Sequence, residues 1–129
     1  MDKLKEAESL VDTILFELSF DAGMATSNAT GHFNVNWTEC FKNKCSGMEL
    51  SFDKDICKQA CIISAASASI SEIAGMRSLC GEVKKPSSCL KRLDKGVKKL
   101  QEKIKKAREK QREIRDKKAL YLRKMSGGE

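Results

Sequence analysis

Aromatic side chains are scarce in this chain: five Phe, one Trp and one Tyr among 129 residues. That excludes a large aromatic core, and small domains with thin cores usually need covalent staples. Histidine occurs once, at His32, in a stretch with no acidic neighbour in sequence. There is no Gly-rich phosphate loop, no nucleophile elbow and no pair of carboxylates in an apolar setting. An enzyme is therefore not expected, and no catalytic residue or cofactor is assigned. Long apolar runs are missing too. The longest uncharged and fairly apolar stretch, Gln59 to Ser71, is too short and too rich in Ser and Ala to span a bilayer. Met1-Asp2-Lys3-Leu4-Lys5-Glu6 is charged where a signal peptide needs an apolar region. If the protein is extracellular, the expectation is a trimmed fragment whose leader or anchors have been removed.

What is abundant is charge, and it is unevenly placed. Residues 1–83 carry 7 Lys/Arg against 12 Asp/Glu, whereas residues 84–129 carry 18 against 6. The basic part contains the dominant pattern of the chain. Leu90, Leu93, Val97, Leu100, Ile104, Ala107, Gln111, Ile114, Lys118, Tyr121 and Met125 succeed one another at alternating spacings of 3 and 4. This heptad seam predicts a coiled-coil helix over residues 87–125, roughly 60 Å long. Leu93, Val97, Leu100, Ile104, Ala107 and Ile114 are its expected interaction seam. With Leu90 at position a, positions g hold Lys103, Lys110, Lys117 and Lys124, and positions e include Arg108 and Arg115. Either parallel or antiparallel self-pairing then brings like charges together, so an acidic partner is expected.

A first helix is expected over residues 2–20, where Leu4, Ala7, Val11, Ile14 and Leu18 repeat the helical spacing. Asp2 is placed to start it and Gly23 to end it. Glu8 and Glu17 make it the nearest acidic cover for the basic helix. It spans at most about 28 Å, so the seam near Gln111 to Met125 is expected to overhang or to meet another chain. Residues 22–52 are expected to be loop: 22–38 have its Gly, Ala, Thr, Ser and Asn composition, and 39–51 are an irregular segment holding Cys40 and Cys45. Two acceptor triplets for N-glycosylation lie there, at Asn28-Ala29-Thr30 and Asn36-Trp37-Thr38. With Phe33 and Trp37 near its end, the segment is also a candidate for touching a membrane or a partner, as fusion loops do. A further helix is expected over residues 54–80, with Asp53 as N-cap, Phe52 as a hydrophobic staple and Gly81 as terminator. Its small-residue centre, Ala60 to Ser71, suits a tightly packed inner helix. Pro86 then restarts the chain after a short connection.

Six cysteines follow the spacing Cys40-x4-Cys45-x11-Cys57-x3-Cys61-x18-Cys80-x8-Cys89. Cys80 and Cys89 flank the turn between the last two helices and are expected to bond to each other. Cys57 and Cys61 share a helix face, and Cys40 and Cys45 are expected to bond to them. Which bonds to which is open, although an antiparallel approach favours Cys40–Cys61 with Cys45–Cys57. The competing arrangement is a zinc ion held by Cys40, Cys45, Cys57 and Cys61. The x3 pair resembles half of the twin Cys-x3-Cys pairs of small mitochondrial import chaperones, and x3 and x8 spacings are similar to those of insect odorant-binding proteins. The x4 pair and the long basic helix place the chain in neither.

These readings combine into one all-α domain over residues 1–129, a disulfide-stapled three-helix bundle with a long protruding coiled-coil C-terminal helix. The expected function is non-catalytic: a protein-interaction or assembly module, the exposed domain of a larger membrane-anchored or surface protein. It would bind a protein partner or self-assemble through the overhanging helix, and reach a membrane only through segments outside this chain. Six cysteines imply an oxidising compartment, extracellular or at a cell or virion surface. The alternative is an intracellular basic helical protein binding nucleic acid, zinc-stapled or not. With a third of its residues charged, the composition also fits a thermostable protein from the cytoplasm of a hyperthermophile.

Overall fold

The computed structural model describes residues 20–127 together with Lys3. The expected first helix, residues 2–20, lies almost wholly outside the described residues, and with it the proposed cover by Glu8 and Glu17. Three α-helices are described: α1 (Ala22–Cys40), α2 (Ser51–Gly75) and α3 (Pro86–Gly127). A π-helical turn, Phe41–Cys45, follows α1, and a 3₁₀ segment, Arg77–Glu82, follows α2. The described residues form an all-α bundle stapled by three disulfides, with a long C-terminal helix.

One of the three described helices lies where a loop is expected. The loop expected over 22–52 is helical for most of its length. Asp21 opens α1: its Oδ1 accepts hydrogen bonds from the Gly23 N–H at 2.8 Å and the Met24 N–H at 3.3 Å, satisfying donors that a helix start leaves free. Gly23 thus lies in the first turn of α1. Ala22, Ala25, Ala29 and Phe33 recur at helical spacing and are buried, and Trp37 packs beside them. The stripe consists mainly of Ala, so its amphipathicity is slight, although Ala is the best helix former. Tertiary packing supplies the remainder. The Ser69 hydroxyl donates to the Ala29 carbonyl at 3.0 Å, and Ala65, Ala66 and Ser69 of α2 are all buried at this contact. Small side chains on both helices allow the close approach that the Ala/Ser centre of α2 foreshadows, and α2 is the inner helix.

α2 also starts and ends differently from expectation. It begins at Ser51, so Asp53 lies in its first turn and forms an ion pair with Lys118. Phe52 packs on Tyr121, with ring centroids 5.4 Å apart. The α-helix ends at Gly75, and the 3₁₀ segment carries the chain on to Glu82, Gly81 included. Pro86 occupies the first position of α3, where its missing N–H costs nothing.

α2 and α3 form the antiparallel hairpin. Arg77 pairs with Asp94 near the turn, Gln111 Nε2 donates to the Ile56 carbonyl at 3.2 Å, and Lys118 meets Asp53 at the far end. The polar residues that dilute the seam, Gln111 and Lys118, are therefore matched to polar groups at the start of α2. Leu93, Leu100 and Ala107 are buried, and Val97, Ile104 and Ile114 are half-buried. α2 with its 3₁₀ extension covers the seam as far as Tyr121. The overhang expected from Gln111 onward shrinks to Leu122–Gly127, about 9 Å of helix. Gly96 lets α1 approach α3 closely, since a Cβ there would stand 2.8 Å from Thr26 Cγ2. Among the described residues, no helix is long and apolar enough to cross a membrane.

Candidate interaction sites

The cysteines pair as Cys40–Cys61, Cys45–Cys57 and Cys80–Cys89, with Cα–Cα separations of 5.5 to 5.6 Å. The x4 spacing of the first pair has a local cause. In an α-helix the fifth residue onward is rotated 500°, about 140° out of alignment, so Cys40 and Cys45 would face apart. The π-helical turn, closed by the Ser46 N–H bond to the Phe41 carbonyl at 3.0 Å, widens the helix. That brings both sulfurs onto Cys57 and Cys61, which are aligned on α2. The four zinc candidates do come together: the sulfurs of Cys45 and Cys61 are 3.7 Å apart, and Cys57 Sγ is within the same cluster. They are bonded as disulfides, however, and zinc is held by thiolates. The staple replaces the metal site.

Asn28 and Asn36 are exposed, on helix α1 rather than in a loop. The hydroxyls of their triplets are turned into the helix backbone: Thr30 donates to the Thr26 carbonyl and Thr38 to that of Asn34. Phe33 and Trp37 do not form an exposed fusion-type tip. Phe33 is buried beneath the Lys103 ammonium, 5.3 Å from its ring centroid, and Lys58 stands 5.6 Å from that of Trp37. His32 bonds Glu72 Oε1 at 2.9 Å on the exposed rim of α1 and α2.

Two surfaces of α3 remain available for binding. One is its end. Tyr121, Leu122 and Met125 lie on one face of the last two turns and are 41%, 47% and 69% exposed, with Leu120 exposed beside them. The other is the shallow groove between α1 and α3. Arg92, Lys95, Lys99 and Lys103 line its upper part opposite Gly23, Thr26, Ser27 and Thr30. Lys103, Lys106 and Lys110 continue it past Phe33, Asn34 and Trp37, where Lys58 of α2 adds a further cation. The sequence places basic residues all around the helix. At 100° per residue, though, these six α3 cations fall within an arc of about 80°, and α3 carries no acidic residue on that arc between Arg92 and Lys110. Within α1 the sole acid is Glu39. Among the described residues the one ion pair made by these six is Arg92 to Asp21, at 3.9 Å. The spacing 92, 95, 99, 103, 106, 110 was readable in advance. That α1, with its few acids, is the helix beside them was not, because α1 reads as a loop.

Comparison with protein-family models, with curated proteins and with solved structures gives no match, so residues and geometry carry the functional reading.

Proposed function

We propose that this chain is a non-catalytic protein-interaction or assembly module, the exposed domain of a larger membrane-anchored or surface protein. The observation that carries the reading is the end of α3, where Leu122 and Met125 extend an exposed apolar stripe past Tyr121, the seam residue on which Phe52 of α2 packs. Aromatic side chains and Met are enriched at protein interfaces, and an exposed apolar group of this kind in a small, highly charged chain marks a contact surface. Arg115, Lys117, Arg123 and Lys124 lie within two helical turns of it along α3. Two copies meeting end to end would oppose these charges, which favours a different protein with an apolar surface rimmed by Asp and Glu. Three disulfides support an oxidising, extracellular-type environment.

The test is a photo-crosslinking amino acid at position 122 in cells of the source organism, with position 31 on the exposed side of α1 as control, alongside sedimentation analysis of the isolated chain. A discrete protein adduct at 122, absent at 31 and lost on Met125→Lys, is the expected result. A monomeric chain with no position-specific adduct overturns the proposal. Concentration-dependent self-association abolished by Leu122→Lys would replace the hetero-partner with a second copy.

A further inference from the structure

We infer that the groove between α1 and α3 is a binding site for a linear sulfated polysaccharide. Six cations in an 80° arc run for 18 residues along α3, about 27 Å of continuous positive surface. Among the described residues, five of the six make no ion pair and only Arg92 meets an acid, Asp21 at the mouth of the groove, since α1 presents Thr26, Ser27, Thr30 and Asn34 to the row. Rows of basic residues on one face are the electrostatic footprint of polyanion binding, through which counterions are released as the polyanion docks. The form of the row selects among polyanions. A flat anionic bilayer would meet the convex outer face of α3 before a row set against α1. Single-stranded nucleic acid needs open aromatic faces on which bases stack. The two aromatic residues here have their faces occupied, Phe33 by Lys103 and Trp37 by Lys58. A flexible chain bearing sulfates at intervals requires neither a flat surface nor a stacking platform, and it belongs to the oxidising surroundings that three disulfides imply. This surface is separate from the apolar end of α3 and does not depend on what binds there.

Binding of a fluorescent heparin-derived oligosaccharide to the whole chain, from 50 to 300 mM NaCl, tests the inference. The comparison is between two triple variants of equal charge on the same helix. One, Lys95→Gln with Lys99→Gln and Lys106→Gln, strips the groove and spares Lys103, which packs on Phe33. The other, Lys91→Gln with Lys98→Gln and Lys105→Gln, strips an arc away from it. We expect the groove variant to bind at least tenfold more weakly and to lose about three from the slope of log Kd against log salt. The other variant should change less than threefold, as should Leu122→Lys with Met125→Lys, which separates this site from the protein-binding end. Circular dichroism checks that each variant stays folded. Equal weakening by both triple variants would reduce the effect to bulk charge and overturn the site. So would retained binding of the desulfated oligosaccharide, or no binding at 150 mM NaCl. Tighter binding of a poly(U) strand of equal charge, or of phosphatidylserine vesicles, with the same dependence on Lys95, Lys99 and Lys106, would overturn the glycan assignment.

Discussion

α1 and α3 reach the same secondary structure by opposite routes. α3 repeats apolar residues at heptad spacing, starts at a proline, and is filled elsewhere with Lys, Arg, Glu and Gln, all good helix formers. α1 contains Gly23, Gly31, three Thr and three Asn in 19 residues, all weak helix formers, and buries little beyond three alanines and Phe33. It is helical because it is held: capped by Asp21 at its start, packed by its small side chains on α2 along its length, and bonded through Cys40 and Cys45 at its end. A helix of this composition is a product of the bundle, whereas α3 supplies the surface on which the bundle is built.

The contrast breaks most visibly at the staples. Replacing Cys40, Cys45, Cys57 and Cys61 by Ser should lower stability by roughly 4 kcal/mol. The loss is less than that of two independent bridges, because the Cys45–Cys57 loop lies inside the Cys40–Cys61 loop. Hydrogen exchange should show amides of residues 22–40 losing protection well before those of α3. Equal loss in both helices would mean that α1 and α3 open as one unit. On the other side of the comparison, Leu100→Ala removes a buried seam residue and should cost about 3 kcal/mol in chemical denaturation. That loss should be global, since α3 carries both neighbours. The finest probe is Asp21→Ala, which should cost about 1 kcal/mol by removing the cap, with the change concentrated in the first turn of α1. A cost near zero there would leave packing and the staples as the whole support of α1.

Residue spacing made much of this legible. The hairpin, the Cys80–Cys89 bond across its turn, and the buried Leu93, Leu100 and Ala107 follow from periodicity and loop length. The favoured pairing of the other four cysteines matches as well, although its reason was incomplete. Cys40 precedes a π-helical turn, and nothing in Phe41-Lys42-Asn43-Lys44 signals the widening that aligns it with Cys45. The seam from Gln111 to Met125 read as an overhang because the expected cover, a helix over residues 2–20, is too short to reach it. The partners of Gln111 and Lys118, the Ile56 carbonyl and Asp53, come from the opposite end of α2.

Local sequence by itself determined that α3 would be one long basic helix, that α2 would be a tight inner helix, and that cysteine would staple them. Those outcomes depend on periodicity and side-chain size, which neighbours in the chain express. That residues 22–40 are helical, and that six of the α3 cations share a groove where, among the described residues, Asp21 is the one acid paired with them, was decided only by tertiary structure. An alanine stripe buries too little surface to declare itself alone, and a charge is left unneutralised only by the particular helix brought beside it.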